Sequence, residues 1–536
     1  MPKIYKYLLI TIVSIVAYSN TFNAPFAYDD LSSIVGNTYL DDPGNYISKF
    51  SFTRQRSLTD LTFALNRLLH QDWLPGYHLT NLLIHIVTAI LVMKLVTTTL
   101  DTPLLKKTPM AKQKNLLGFL CGLVFATHPI QTQSVTYIVQ RYASLATLFY
   151  VLSIYLFSLA FQSKKSTTSK ILLLAGALTA AILAIYSKET AFTIPLMMTA
   201  YYTYFFGLKK KLPAMIWLSS LSSIIILIAI NLFSITAIFR WQAISESGIT
   251  ITGSNYSITQ LLVLLKYLQL LLIPIGQNLI YDFPILNSLW DLRALAGLVT
   301  LTTLIGIAVK IYSKWRLVSF GIIWFLISLL VESSFIPLKH VIFEHRLYLP
   351  MVGFSIVLVS TLWHVLQKKN PAFIYTILIL VISYSLLTIN RNRVWQTSLS
   401  LWQDVVNKSP RLATTNTNLG TAWAKNANFA QATFYLKRAI SLDPGYKVAY
   451  NNLGNVLASQ GYQQQSIDYF KKAIDLDPTF ENPYNNLGYV YLELNQPDLA
   501  IAYFQQALKL NANFAKAQNN LDLAQKIKSG DLPPLQ

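Results

Sequence analysis

Long apolar runs alternate with short polar gaps through the first 390 residues of the chain. A transmembrane helix needs about 20 mainly apolar residues. Eleven runs approach or exceed this length: 5–21, 77–97, 115–129, 144–162, 170–187, 191–208, 213–238, 294–312, 317–336, 350–367 and 371–389. A further run, 258–275, is interrupted by Lys266. The pattern predicts an all-α bundle of about eleven membrane-spanning helices over residues 1–390.

The polar gaps predict how these helices are oriented. Cytoplasmic loops carry an excess of Lys and Arg, and the spans alternate correctly if the lysine-rich gaps are all cytoplasmic. These gaps hold Lys3/Lys6, Lys106/Lys107/Lys112/Lys114, Lys164/Lys165/Lys170, Lys209/Lys210/Lys211, Lys310/Lys314/Arg316 and Lys368/Lys369. Region 239–293 must then cross the membrane an even number of times or not at all, so we interpret 258–275 as a re-entrant or interfacial helix. The N-terminus is then cytoplasmic, run 5–21 is an uncleaved anchor, and loop 22–75 and the C-terminus are extracytoplasmic.

A different pattern, with a period of 34 residues, begins near residue 410. Leu-Gly pairs recur at 419–420, 453–454 and 487–488, with small residues and prolines in the same register. This spacing is typical of tetratricopeptide (TPR) repeats, whose paired helices stack into a solenoid with a concave groove. It predicts a connector and half-repeat at 391–412 and a TPR domain at 413–536, made of repeats 413–446, 447–480 and 481–514 and a capping helix at 515–528.

Asparagines also recur every 34 residues, on the inner helix of each predicted unit: Asn418, Asn452, Asn486 and Asn520. A side-chain amide both donates and accepts hydrogen bonds, which matches a peptide backbone whatever its sequence. We therefore expect the groove to bind a protein or peptide acceptor. The plainer alternative is that asparagine is simply common at this position in such repeats.

Composition supports the membrane prediction and excludes other classes. The chain is 53% hydrophobic and 12% charged, about half the charged share of soluble domains. Its net charge of +20 lies in the gaps between apolar runs, as topology signals do, so we expect no nucleic-acid partner. Cys121, the single cysteine, lies inside an apolar run, and the histidines are scattered. No disulfide framework or metal motif is predicted, although a divalent ion stays an open alternative.

The acidic pair Asp29-Asp30 is the leading candidate for chemistry. It follows the first apolar run, where a carboxylate partly shielded from water is suited to act as a general base. The predicted topology places further polar residues on the same face, including Arg56, His78, Asn81, His85, His128, Arg141, Lys188, Glu189, Arg240, Glu332, Glu344 and Arg346. Arg and Lys at this depth suit a phosphate group.

Each of these residues also has a plainer interpretation. Asp29 or Asp30 could solvate a loop or cap a helix. The basic residues Arg141, Lys188 and Arg240 could be interfacial anchors. His78 and His85 share one helical face and are well placed for hydrogen bonds between helices.

Several motifs together carry a family resemblance. They are Phe26-Ala-Tyr-Asp29-Asp30, Arg56-Ser-Leu-Thr59, Gly76-Tyr-His78-Leu-Thr-Asn81, His128-Pro-Ile-Gln-Thr132 with Arg141, Ser187-Lys-Glu189 and Glu344-His-Arg346-Leu-Tyr348-Leu-Pro350. With the TPR array, their order resembles the transmembrane and TPR-repeat O-mannosyltransferase family, of the GT-C class of polytopic glycosyltransferases. The resemblance implies a GT-C fold and transfer of a sugar from a polyprenyl-phosphate carrier to a hydroxyl outside the cytoplasm. An acid of the first loop serves as base in that class, which implies this role for Asp29 or Asp30.

We therefore expect an inverting, mannosyltransferase-like enzyme of the bacterial inner membrane or its equivalent, with a lipid-linked sugar as donor and no certain cofactor. One carboxylate of the pair takes the proton of a Ser or Thr hydroxyl, and Arg240, Arg346, Lys188 or Arg141 stabilises the leaving phosphate. The residues expected to support the site are Arg56, His78, Asn81, His128, Glu189, Glu344 and Tyr348. Two alternatives stay open: a non-catalytic, membrane-anchored TPR scaffold for envelope proteins, and a lipid-linked polysaccharide polymerase or ligase.

Overall fold

The computed structural model describes residues 2–40, 42, 44, 56–162, 166–207, 243–245, 248–334, 336–366 and 370–535. They form two compact units. The first unit comprises 1–243, 250–279 and 283–397, and the second comprises 244–249, 280–282 and 398–536. The apolar run 213–238 and the candidate phosphate ligand Arg240 lie outside the described residues.

The first unit is built from helices joined by turns. Its α-helices are α1 (Lys3–Tyr18), α2 (Ser57–His70), α3 (Leu74–Thr99), α4 (Pro109–Lys112), α5 (Lys114–Thr127), α6 (Thr132–Val135), α7 (Arg141–Gln162), α8 (Thr167–Ile185), α9 (Ile194–Phe205), α10 (Gly253–Leu272), α11 (Leu292–Ile311), α12 (Arg316–Leu329), α13 (Pro350–Leu366) and α14 (Asn370–Arg393). A π-helix (Leu31–Val35) and 3-10 turns at Thr38–Leu40, Pro129–Gln131, Ile138–Gln140, Glu189–Thr193 and Glu344–Leu347 lie between them. Two strands of two residues, β1 (Ala243–Ile244) and β2 (Thr250–Ile251), are the extended elements of the described chain. The predicted all-α class is confirmed.

Several helices are suited to lipid. Among the described residues, five stretches are long and apolar enough to cross a membrane: Leu74–Thr99, Ile138–Gln162, Thr167–Ile185, Leu292–Ile311 and Pro371–Arg393. The last three bury only 22%, 17% and 28% of their most apolar windows inside the protein. Long helices with exposed apolar side chains are more stable in the hydrocarbon core of a membrane than in water. The total of eleven spans and the re-entrant interpretation of 258–275, which lies largely within α10, stay predictions.

Close helix crossings in the first unit depend on glycine. A Cβ atom on Gly353 of α13 would lie 2.5 Å from the carbonyl oxygen of Gly321 on α12 and 2.9 Å from the backbone nitrogen of Phe325. A Cβ on Gly118 of α5 would lie 2.6 Å from the carbonyl oxygen of Met93 on α3. Small residues let helix backbones approach closely where lipid supplies no hydrophobic force between helices.

The second unit consists of helix pairs in the predicted register. After α15 (Ser398–Lys408) come the pairs α16 (Ala413–Lys425) and α17 (Phe429–Leu442), α18 (Lys447–Ser459) and α19 (Gln463–Leu476), and α20 (Glu481–Glu493) and α21 (Pro497–Leu510), followed by α22 (Ala515–Ser529). The repeated glycines explain the Leu-Gly motif, because each faces a large side chain of its paired helix. The pairs are Gly420 with Leu436, Gly454 with Phe470 and Gly488 with Phe504.

We predict that Gly353→Ala destabilises the first unit by about 1 to 3 kcal/mol, because the added methyl group overpacks the crossing of α12 and α13. The measurement is thermal unfolding of the detergent-solubilised protein. Gly306→Ala on α11 is the matched control, since a Cβ there meets no atom within 4 Å. An equal loss of stability in both variants would contradict the packing argument.

Candidate functional site

The acidic pair lies in the loop that follows α1, and its two members have different environments. Asp30 is 1% exposed. Its Oδ2 accepts a hydrogen bond from the backbone N–H of Ala27 at 2.9 Å, and its Oδ1 accepts one from the N–H of Val139 at 2.7 Å. Asp29 is only partly buried, and its own N–H donates to the hydroxyl of Tyr137 at 2.8 Å. Asp30 therefore joins two distant segments, while Asp29 is the more exposed residue of the pair.

Burial raises the pKa of Asp30 to about 8, although the two backbone N–H groups and the charge of Arg141 favour the ionised form. The neighbouring Asp29 charge adds to the rise. A carboxyl group with this pKa is mostly protonated at neutral pH. Its chemistry therefore differs from that of an ordinary ionised aspartate.

The segment that receives Asp30 is itself fixed by the end of α14. The hydroxyl of Thr136 donates to Asn392 Oδ1 at 3.0 Å, and Asn392 Nδ2 donates to the carbonyl of Ala17 at 3.0 Å. The rings of Tyr137 and Trp395 lie 5.4 Å apart. These contacts hold the end of α1 and the segment containing Tyr137 together, which sets the position of Asp29.

Arg141 occupies a closed polar pocket. It is fully buried, and its Nε donates to Asn81 Oδ1 at 2.7 Å. Its Nη1 donates to Asn66 Oδ1 at 2.5 Å and to both oxygens of Thr62 at 3.2 Å, while Nη2 donates to the carbonyl of Tyr77 at 3.2 Å. All three guanidinium nitrogens thus bind protein groups. The arrangement favours a structural role over the predicted phosphate contact.

Two ion pairs link the α2 entry, the turn after α8 and the segment after α12. Arg56 donates from Nε and Nη2 to the Glu189 carboxylate, at 3.0 and 3.1 Å. Lys188 Nζ lies 2.6 Å from Glu332 Oε1, and the Lys188 side chain is 6% exposed. Burial is the largest influence on the pKa of Glu189 and raises it, but the charge and hydrogen bonds of Arg56, a backbone hydrogen bond and the charge of Lys188 together lower the pKa below its usual value. The pKa of Lys188 is lowered by burial, against the pull of Glu332.

The Glu344–Leu347 turn brings the last predicted extracytoplasmic loop into the same network. Arg346 Nη2 donates to the carbonyl of His340 at 2.7 Å, and Nη1 donates to the carbonyl of Val341 at 3.0 Å and to the Tyr256 hydroxyl at 3.4 Å. Glu344 Oε1 accepts the backbone N–H of Asn278 at 2.5 Å. Both side chains are therefore held by backbone groups, and Arg346 is also held by the Tyr256 hydroxyl.

His345 is held in its neutral form. Its backbone N–H donates to Gln133 Oε1 at 2.7 Å, and its Nδ1 lies 3.2 Å from the same oxygen. Burial lowers the pKa of His345 well below its usual value, and the charges of Lys188, Arg346 and Arg56 lower it further. These three cations therefore share one electrostatic environment.

Helix α10 orients this last loop through one polar face. The Tyr256 hydroxyl donates to the carbonyl of Glu332 at 2.6 Å, Gln260 Nε2 to that of Val341 at 2.9 Å, and the Tyr267 hydroxyl to that of Phe343 at 2.9 Å. The sequence interpretation missed this role of α10. The available signal was the polar set Tyr256, Gln260 and Tyr267 inside an otherwise apolar run.

A chain of contacts connects the first loop to the ion pairs. The Tyr28 hydroxyl lies 3.3 Å from His340 Nε2. His340 is joined to Arg346, Arg346 to Tyr256, and Tyr256 to Glu332, which pairs with Lys188. Tyr28 precedes Asp29 and has a φ of 45°, a left-handed backbone that is uncommon for a non-glycine residue. The structure therefore links Arg346 and Lys188 in one network, with the Arg56–Glu189 pair next to Lys188 in the chain. The network reaches the acidic pair only through Tyr28, which precedes Asp29.

The other predicted residues support the helix bundle. His78 Nε2 lies 2.8 Å from the carbonyl of Ala24. His85 Nδ1 lies 2.8 Å from the Tyr348 hydroxyl, and His128 Nε2 lies 3.0 Å from the carbonyl of Leu271. Each of these histidines thus contacts a carbonyl or hydroxyl group of another segment, as the plainer interpretation of His78 and His85 as hydrogen-bond partners would have it. Among the described residues, no group of three or more His, Cys, Asp or Glu side chains could hold a metal ion.

In the second unit the repeated asparagines link successive repeats. Asn452 Nδ2 donates to the hydroxyl of Thr421 at 3.0 Å. Asn486 and Asn520 donate in the same way to Asn451 and Asn485 of the preceding repeat, at 2.9 Å each. Asn418, in the first repeat, is partly buried. The ladder thus stabilises the stacking of inner helices, and its predicted contact with peptide stays a prediction.

Comparison with known proteins agrees with both parts of the chain. The tetratricopeptide repeat pattern matches residues 482–514, and a second TPR repeat pattern matches 455–495. A protein O-mannosyl-transferase of Caenorhabditis elegans is 27% identical over 82% of this chain and 63% of its own length. Protein O-mannosyl-transferase TMTC3 of Homo sapiens is 25% identical over 81% of this chain and 51% of its own length. Protein O-mannosyl-transferase TMTC4 of Mus musculus is 25% identical over 82% of this chain and 66% of its own length.

The chain therefore spans between about half and two thirds of the length of these curated relatives. The similarity extends well beyond the TPR region. It confirms the resemblance indicated by the sequence motifs. By sequence, this chain is a relative of the protein O-mannosyl-transferases over about four fifths of its length.

Proposed function

We propose that this protein is a membrane glycosyltransferase that moves a mannose-like sugar from a polyprenyl-phosphate carrier to Ser or Thr hydroxyls of a polypeptide. The observation that carries the proposal is the chain of contacts from Tyr28, which precedes Asp29, to Arg346 and Lys188. Support comes from a partly exposed acidic residue at one end of this chain of contacts and cations at the other, in a chain related to protein O-mannosyl-transferases. The relatives favour transfer to protein over the scaffold and polysaccharide alternatives.

Asp29 is the proposed general base. The residue Asp29 is partly exposed, whereas Asp30 is 1% exposed and holds the backbone N–H groups of Ala27 and Val139. A base must be ionised before it accepts a proton, and the raised pKa of Asp30 opposes this at neutral pH. In the proposed step the acceptor oxygen attacks the anomeric carbon, its proton passes to Asp29, and the carbon–oxygen bond to the lipid phosphate breaks.

Lys188 and Arg346 are the proposed partners of the phosphate that leaves. Both are buried cations on loops, and Arg346 keeps donor capacity beyond its contacts with His340, Val341 and Tyr256. Donors fixed in advance stabilise developing negative charge without reorganisation. The ion pairs Lys188–Glu332 and Arg56–Glu189 fix the side chains around the proposed phosphate position. Arg141 is assigned instead to positioning the Asp30 segment.

The TPR unit is the proposed acceptor-binding element. Stacked TPR helices form a concave surface that binds peptide segments. A cavity of about 220 Å³ between the first two repeats is lined by Thr421, Lys425, Asn452 and Asn455, among others. Binding a polypeptide there would raise its local concentration near the membrane. We further propose that this unit and Asp29 share the extracytoplasmic side, as the lysine-rich gaps predict.

We predict that Asp29→Asn lowers sugar transfer by about 10² to 10⁴-fold, the usual effect of removing a general base. The assay is transfer of labelled mannose from polyprenyl phosphate to protein, in membranes that contain the full chain. Asp72→Asn is the matched control, because Asp72 is an exposed carboxylate of the same loop and should leave transfer unchanged. Normal transfer by a well-expressed Asp29→Asn variant would refute the assignment.

Asp30 should instead make stability depend on pH. The folded protein holds a proton on Asp30 that the unfolded chain releases above the ordinary pKa of 3.8. The contribution of Asp30 to stability is therefore fully present below that value, and it is lost as pH rises towards about 8. We predict a falling thermal midpoint across this range for the wild-type protein, with a clearly shallower fall for Asp30→Asn. Parallel profiles for the two proteins would contradict the anchoring role.

We predict that replacing Asn452 and Asn486 by alanine raises KM for an acceptor polypeptide while leaving kcat within about twofold, because the chemistry lies in the other unit. The lost hydrogen bonds should also cost about 1 kcal/mol each in stability. Asn426→Ala is the control, since Asn426 bonds only within its own helix end, to the carbonyl of Ala422. Lower stability with an unchanged KM would show that the ladder only joins repeats.

A further inference from the structure

A second polar region lies at the opposite end of α3 from the candidate site. It is a cavity of about 460 Å³ between α1, α3, α5 and α7. His78 and Lys94 lie on the same helix and are separated by about 24 Å along its axis at 1.5 Å per residue. The cavity is therefore distinct from the network around Asp29. Its charged and aromatic lining includes Lys3, Lys6, Tyr7, Lys94, Asp101 and Lys114.

The lining concentrates positive charge. Its four lysines come from three helices, and Asp101 is the one carboxylate among the described lining residues. Lys114 Nζ pairs with Asp101 at 2.6 Å. Lys6 Nζ donates to the carbonyl of Asn115 at 3.1 Å, and Lys94 Nζ lies 5.6 Å from the centre of the Tyr7 ring. Cations that converge on one concave site attract an anion more strongly than the same charges spread over a surface.

The position of the cavity indicates which anion. It lies where α1 and α5 begin and α3 ends, so it opens at the ends of apolar helices rather than along their length. The sequence topology places these ends on the cytoplasmic side. An isolated lysine at a helix end binds a lipid phosphate on its own. In this protein four lysines line one cavity, which is large enough for a lipid head group. Basic pockets between helices on this side are suited to phosphate-bearing lipids.

We infer that this cavity binds a phosphate group, carried by an anionic membrane lipid of the cytoplasmic leaflet. The bound phosphate links Lys3 and Lys6 of α1 to Lys94 of α3 and Lys114 of α5. The bound phosphate therefore stabilises the position of α1, the helix that precedes the Asp29 loop. This inference does not depend on sugar transfer, and its test uses no catalytic readout.

The experiment measures thermal unfolding of the full chain in a neutral detergent at constant ionic strength. Phosphatidylglycerol, phosphatidylcholine and inorganic phosphate are added separately at equal phosphate concentration. A ligand that binds only the folded state raises the midpoint, so we expect a larger rise with phosphatidylglycerol than with phosphatidylcholine. In the double variant Lys6→Gln/Lys94→Gln this difference should fall by more than half.

Two controls separate binding from folding and surface charge. Lys310→Gln/Lys314→Gln removes two exposed lysines that do not line the cavity and should keep the full shift. Lys94→Arg keeps the charge and should also retain it, which guards against a packing defect at this position. If inorganic phosphate alone reproduces a lysine-dependent shift, the site is supported and its ligand is a soluble phosphate. Equal shifts in the wild-type protein and the double variant, or equal shifts with both lipids, would overturn the inference.

Discussion

The two backbone hydrogen bonds to the Asp30 carboxyl group determine much of the candidate site. A buried carboxyl group needs partners for both oxygens, and these come from Ala27 in its own loop and from Val139 across the fold. This contact fixes the loop after α1 against the segment before α7. Tyr28 then adopts its left-handed backbone, and Asp29 lies beside Tyr137 and is more exposed than Asp30.

Buried polar groups elsewhere in the first unit follow the same rule. Arg141 is surrounded by amide, hydroxyl and carbonyl oxygens, and Lys188 and Arg56 each have a carboxylate partner. Removing one member of such a network lowers the stability of the fold, because the remaining buried groups lose their partners in a medium of low dielectric constant. Such networks also specify one arrangement of the loops. The proposed transfer from a lipid phosphate would benefit from this, since donors must be in place before charge develops.

The first unit thus has polar regions near both ends of α3. The end with His78 and Asn81 contacts the Asp29 loop and Arg141. The other end holds the lysine-lined cavity, where α1 meets α3 and α5. Between them the helices pack through apolar side chains and close glycine contacts. A change in the packing of α1 could therefore reach the loop that follows it without any polar connection between the two regions.

The sequence by itself determined the elements and their grouping. Apolar runs predicted helices, the period of 34 residues predicted the helix pairs from Ala413 to Leu510, and motif order indicated the family. Hydropathy and periodicity are local properties, so they can be read from neighbouring residues. Only the tertiary structure distinguished Asp29 from Asp30, enclosed Arg141, and joined Lys188 to Glu332. These outcomes depend on which distant segments meet and how much water they exclude, and neither property is encoded in the local pattern.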